Sequence, residues 1–324
     1  MSKKYNKNTT LAFIFPGQGS QSLGMMSDLA TAFPVVGETF AEASDALGYD
    51  LWQLVQEGPE QELNQTDKTQ PAMLTAGVAA WRVWQDQSDV LPAMMAGHSL
   101  GEYTALVCSG AIGFADAVAL VADRGRFMQQ SVPAGTGAMA AILGLDDEQV
   151  WTVCAESAQG EVVAAVNFNS PGQVVIAGHA AAVNRAMDAA KAAGAKRALA
   201  LPVSVPSHCS LMQPAADLMQ ARLAAIGFNT PNISVINNVD VTSTASADEI
   251  RDVLVRQLYQ PVRWVETIQS MSASGVNTMI ECGPGKVLAG LNKRIDRSIN
   301  ALPLFDPGSL QKALDAIATV GETS

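Results

Sequence analysis

Gly97-His98-Ser99-Leu100-Gly101 matches G-x-S-x-G, the pattern of a nucleophile elbow. The apolar run from Ala93 to Gly97 predicts a strand leading into Ser99, with a helix after it. Two glycines suit so sharp a turn, where side chains on either side would collide, and the turn sets the Ser99 hydroxyl at a helix N-terminus. A serine hydroxyl attacks only when a base takes its proton, and the chain offers three histidines for that work. His98 adjoins Ser99, and neighbouring side chains at a tight turn diverge. His179 opens an Ala-rich helix. His208, in Pro206-Ser207-His208-Cys209, is therefore the expected general base.

Arg124 is the second conspicuous residue. The helix expected over about 114 to 130 carries an apolar stripe through Ala117, Val121 and Met128, flanked by Leu120 and Phe127, and Arg124 falls inside it. Asp123 and Arg126 point away. A guanidinium among apolar side chains is costly unless an anion meets it. That anion is either a protein carboxylate or the carboxylate of a substrate, gripped by charge-assisted bonds of about 1.5–3 kcal/mol. The second case would select a dicarboxylic half-thioester such as malonyl over acetyl.

Other patterns carry less. Gly17-Gln18-Gly19 lacks the third glycine of a dinucleotide fingerprint, Ser22 standing there, and no phosphate-binding G-x-x-x-x-G-K-[ST] occurs. Gly135-Thr136-Gly137 with Ala140 follows a helix where the fingerprint needs a strand. Cys108, Cys154, Cys209 and Cys282 are far apart with no C-x-x-C pair, so neither a metal site nor a disulfide framework is expected. The net charge of −11 argues against nucleic acid as a partner. No apolar run approaches a membrane span, and Leu11 to Phe15 is too short for a signal peptide; the scattered cysteines make a reducing cytoplasm the expected location.

The elements that must position these residues alternate between strand and helix, which predicts an α/β fold with a mainly parallel sheet. Leu11 to Phe15 reads as a buried strand, and Pro71 as the start of a helix over 71 to 87. Between 132 and 204 the order becomes β-α-β-β-α-β: strands at 139–143, 162–166, 174–177 and 198–203, helices at 146–158 and 180–193, and a turn around Asn169-Ser170-Pro171-Gly172. A small ferredoxin-like domain over 132–204 is therefore expected, inserted into a discontinuous catalytic domain of 1–131 and 205–324.

Phe15-Pro16-Gly17-Gln18-Gly19-Ser20-Gln21, Gly97 to Tyr103, Arg124-Gly125, Asn167 to Gln173, Val205 to His208, Gln257 with Pro261 and Trp264, and Gly283 to Lys286 occur in order along nearly the whole chain. Together they resemble the malonyl-CoA:acyl carrier protein transacylases of type II fatty acid synthesis. The resemblance implies an α/β-hydrolase-like core and a malonyl group carried on Ser99, with His208 as base and Arg124 on the malonyl carboxylate. It further implies an oxyanion hole from the main-chain N–H groups of Gln18 and Leu100, with Gln257 beside the site as a third catalytic residue and Asn169 binding substrate. The histidine would be oriented by a main-chain carbonyl near Gln257, so no aspartate need complete a triad. No metal or cofactor is implied, and an acyl carrier protein would bring its own phosphopantetheine. The basic spots at Lys196-Arg197 and along Lys286, Lys293, Arg294 and Arg297 read first as solvated surface on an acidic chain, with those near Lys286 and Lys293 as a candidate surface for that acidic partner. The polar stretch Met1 to Asn8 lies outside the resemblance and is expected to be mobile. Two other readings stand beside this one: a serine esterase or thioesterase, which shares the elbow, and a non-catalytic subunit that only binds acyl carriers.

Overall fold

The computed structural model describes residues 5–203 and 205–321. Strands β1 (Asn6–Phe15), β2 (Val90–Gly97), β7 (Ser234–Ile236), β8 (Thr278–Cys282) and β9 (Asn300–Leu304) form one sheet in the order β7-β2-β1-β8-β9. Every pairing in it is parallel. The run Leu11 to Phe15 is continuously apolar because β1 is central and covered on both faces. Leu11, Phe13 and Phe15 enter one core with the helices Thr66–Gln87, Leu100–Cys108 and Phe114–Ser131. Ala12 and Ile14 enter another, with Trp264, Ile268, Leu288 and Leu291 of the helices Trp264–Ala273 and Val287–Ile295. That alternation is the period of two of a strand.

Two expectations about the large sheet and its helices are corrected. Met1 to Lys4 lie outside the described residues, but Asn6, Lys7 and Asn8 are strand, paired with Val90, Leu91 and Pro92. They are polar because β8 begins only opposite Leu11, leaving this half of β1 at the edge. The helix at Pro71 starts five residues earlier, at Thr66, and runs through the proline. Pro71 forfeits one main-chain hydrogen bond. Packing upstream compensates: a Cβ on Gly125 would lie 2.6 Å from Asp67 Cα and from the Thr66 carbonyl oxygen, so Gly125 lets the two helices cross in contact there.

The remaining strands, β3 (Gly137–Leu143), β4 (Val163–Ser170), β5 (Gln173–His179) and β6 (Arg197–Ala200), form an antiparallel sheet in the order β4-β5-β3-β6. With helices Asp147–Ala158 and Ala180–Ala192 this is the β-α-β-β-α-β order expected. The hairpin turn is tighter than read: Ser170 pairs with Gln173, so Asn169 and Ser170 belong to β4, and only Pro171 and Gly172 turn the chain. The face of this sheet away from its helices buries Met139, Val166, Val175 and Ala177 against Cys209. That contact seats the neighbour of His208 beneath the small sheet.

Candidate active site

Gln18, Ser99 and Asn238 all stand just past the carboxyl ends of parallel strands, β1, β2 and β7, where sheets of this kind place their ligands. The turn at Ser99 is as tight as the two glycines suggest. A Cβ on Gly97 would come within 1.8 Å of the Gly101 carbonyl carbon, and one on Gly101 within 2.0 Å of the Phe15 oxygen. Ser99 itself has φ 52° and ψ −108°, a conformation that costs a non-glycine residue on the order of 1–3 kcal/mol.

Folding brings the predicted base to the predicted nucleophile, 109 residues away: Ser99 Oγ and His208 Nε2 are 2.8 Å apart. On the other side of the ring, Nδ1 is 2.7 Å from the main-chain oxygen of Gln257. A carbonyl only accepts, so Nδ1 carries the proton and Nε2 is left to accept from the Ser99 hydroxyl. Burial of the ring, reinforced by the positive charge of Arg124, lowers the His208 pKa to about 3. The imidazole works as a base only when neutral, and protonation below its pKa removes it. We therefore expect kcat/KM for acylation to stay level from about pH 8 to about pH 5, where an ordinary histidine would already be titrated. A pH–rate profile bending near 6.5 contradicts this.

Arg124 is 1% exposed. Among the described residues no carboxylate forms an ion pair with it; its contacts are neutral. Nη1 donates to Gln70 Oε1 at 2.8 Å, and Nη2 to Gln257 Oε1 at 3.1 Å and to Ser99 Oγ at 3.4 Å, while the guanidinium lies 5.3 Å from the centre of the Tyr103 ring. Its Nε has no partner within hydrogen-bond distance. Of the two anions the sequence allowed, the protein does not supply one in direct contact. The guanidinium is held in place by amides beside the nucleophile, and the Glu102 carboxyl acts on it only across the Gln257 side chain.

These groups open on a cavity of about 120 Å³ lined by Gln18, His98, Ser99, Leu100, Arg124 and His208, with Met139, Asn167 and Leu201 reaching in from the small sheet and its exit. The main-chain N–H groups of Gln18 and Leu100 make no hydrogen bond among the described residues, whereas that of Ser99 is taken by Asn238 Oδ1 at 2.7 Å. Gln257 lies beneath the cavity, fully buried. Asn169 does not line it; its Oδ1 is 2.8 Å from Nε2 of His98, which does. His179 stands at the N-cap position of its helix, and its ring accepts a hydrogen bond from the Val162 main-chain N–H, a structural role.

Residues 12–306 match the family model described as acyl transferase domain. The chain belongs to the acyl transferase family. Within it the chain is 62% identical over 307 residues to the malonyl CoA-acyl carrier protein transacylase of Escherichia coli K12, covering 95% of this chain and 99% of that one. An acyl carrier protein S-malonyltransferase from Vibrio cholerae superposes with a TM-score of 0.92 at 60% identity, covering 95% of this chain and all of the other. A solved complex of a type II PKS acyl-carrier protein with its malonyl-transacylase gives 0.94 at 60% identity, with the same coverage. The resemblance read from the sequence motifs is borne out.

In this acyl transferase, sequence reasoning passed over four residues that shape the site. His98 was weighed only as a base, yet it lines the cavity. Gln70 and Asn238 are neutral amides whose partners lie 54 and 139 residues away, and nothing local marks them. Glu102 did carry a signal, the one that exposed Arg124: a charged residue among the buried Leu100, Tyr103 and Leu106 of one helix. Burial raises its carboxyl pKa to about 7 against the lowering effect of hydrogen bonds from Asn238 and Gln257.

Proposed function

We propose that this acyl transferase moves a malonyl group from malonyl-CoA to the phosphopantetheine thiol of an acyl carrier protein, through a malonyl ester on Ser99, in fatty acid synthesis. The observation that carries the reading is the 2.8 Å contact of Ser99 Oγ with His208 Nε2 beside the guanidinium of Arg124, which no carboxylate among the described residues contacts directly. His208 takes the Ser99 proton as Oγ attacks the thioester carbon. The N–H groups of Gln18 and Leu100 receive the oxyanion, each such donor being worth about 2.7–4 kcal/mol of barrier. Collapse breaks the C–S bond, and His208 returns the proton to the departing CoA sulfur. The carrier thiol then gives its proton to His208 and attacks the ester, and Ser99 leaves with the proton. Arg124 binds the distal malonyl carboxylate throughout. Asn169 supports the substrate pocket by holding His98.

A carbonyl partner orients His208 without adding the negative charge that an aspartate would. A weaker base suits this exchange, because a thiol releases its proton far more readily than water does and a thiolate leaves easily. The scheme draws on no metal or redox cofactor. Lys286, Lys293 and Arg294 are exposed at and along the helix Val287–Ile295, a basic surface fitted to an acidic carrier. A cytoplasmic location agrees with four unpaired cysteines and with the finding that no helix among the described residues is long and apolar enough to cross a membrane.

The test is incubation with malonyl-CoA, with and without carrier protein. Malonyl-carrier as the main product supports transfer, and free malonate as the main product would make the protein a thioesterase. Reversing Lys293 and Arg294 to Glu should raise the KM for carrier at low salt and leave the KM for malonyl-CoA alone. An unchanged carrier KM would remove that surface from the account.

A further inference from the structure

Ser99 is held in its strained conformation by side chains that come from distant parts of the chain. Its N–H donates to Asn238 Oδ1 at 2.7 Å, and its carbonyl accepts from Gln257 Nε2 at 3.0 Å. Asn238 closes the other side of the turn as well, Nδ2 donating to the Gly97 oxygen at 2.7 Å. Both holding residues return to one atom. Oε2 of Glu102 accepts from Gln257 Nε2 at 2.8 Å and from the main-chain N–H of Asn238 at 2.9 Å. Glu102, Asn238 and Gln257 are each no more than 1% exposed, so none of these bonds has water as a ready substitute.

We propose that Glu102 is a positioning residue for the nucleophile: one of its carboxylate oxygens fixes Gln257 and Asn238, which between them hold both main-chain polar groups of Ser99. The inference rests on the reading of Ser99 as the acylated residue. Gln257 makes the arrangement do three things at once. Its Nε2 bonds Ser99 and Glu102, its Oε1 accepts from Arg124, and its carbonyl oxygen orients His208. An amide can turn over and exchange its N–H₂ and oxygen, which would set its donors against the donors of Arg124. An acceptor at Glu102 forbids that flip, since only Nε2 can face it. Asn238 is fixed differently, through its main chain: Glu102 accepts from its N–H, while its side-chain amide spans the turn from the Ser99 N–H to the Gly97 oxygen and so leaves the oxyanion to Gln18 and Leu100. The contribution of Glu102 is thus an acceptor at a fixed place, and a neutral oxygen there serves the same end.

Glu102→Ala and Glu102→Gln should be compared with Glu281→Ala as a control for burial alone. Glu281 is likewise fully buried, but its carboxylate caps the helix Val287–Ile295 through the N–H groups of Leu288 and Ala289, away from the elbow. Single-turnover acylation by malonyl-CoA should slow by ~10-fold or more in Glu102→Ala, with KM changed little, because misplacing a reacting group by about 1 Å costs up to ~100-fold in rate. Glu102→Gln should restore most of the rate, and Glu281→Ala should lower the unfolding midpoint without this loss of kcat. A Glu102→Ala rate within two-fold of wild type, or a loss matched by Glu281→Ala, overturns the proposal. If Glu102→Ala does not fold, Asn238→Ala must show the same loss of kcat at steady KM, and its absence is equally decisive. Wild-type protein that is never acylated would instead sink the reading of Ser99 and is separable from these outcomes.

Discussion

His208→Ala is expected to slow acylation of Ser99 by on the order of 10⁵–10⁶-fold, the scale on which loss of a base from such a pair acts. Nothing nearby can replace the ring. His98 is turned to Asn169, and Glu102, the carboxyl nearest the elbow, is committed through Oε2 to two N–H donors. The residual rate would come from the oxyanion donors and from binding, so the KM for malonyl-CoA should move only a few-fold. Stopped-flow release of CoA checks this. A loss below about 100-fold would mean that the proton leaves Ser99 by another route.

The second large effect concerns selectivity. Arg124→Ala removes the cation bonded to Ser99 Oγ, and with it the two charge-assisted bonds proposed to the malonyl carboxylate, at about 1.5–3 kcal/mol each. The preference for malonyl-CoA over acetyl-CoA, measured as a ratio of kcat/KM, should fall by roughly 100-fold or more. The variant also tests the electrostatics. Arg124 is the second cause, after burial, of the depressed His208 pKa, so its removal should raise that pKa and bring the acid limb of the profile up toward neutral pH. Retained malonyl selectivity would place the carboxylate contact elsewhere.

Much of this site was legible because its residues are conspicuous for physical reasons. Ser99 stands between two glycines at a strand end, His208 is one of three histidines, and Arg124 is a charge in an apolar stripe. The β-α-β-β-α-β order could be followed because helical and strand periods alternate cleanly there. What stayed hidden was set by tertiary contact. No local pattern extends the helix upstream of Pro71; the crossing at Gly125 does. No local pattern makes strand of Asn6 to Asn8; pairing with β2 does. Gln70 and Asn238 are uncharged, and their value lies in partners 54 and 139 positions away; Gln257, whose side chain reaches 158 positions to Ser99, is legible only through the family resemblance. Glu102 could have been found had the argument used for Arg124 been applied to every buried charge.

The claim beneath all of this is that Ser99 carries the acyl group. Intact-mass measurement of the protein after brief exposure to malonyl-CoA without carrier, followed by peptide mapping, tests it most directly. The account predicts one added malonyl group, located on Ser99, absent in Ser99→Ala and discharged when holo-carrier is added. Unmodified wild-type protein that still transfers malonyl to carrier, or an adduct that persists in Ser99→Ala, would contradict it.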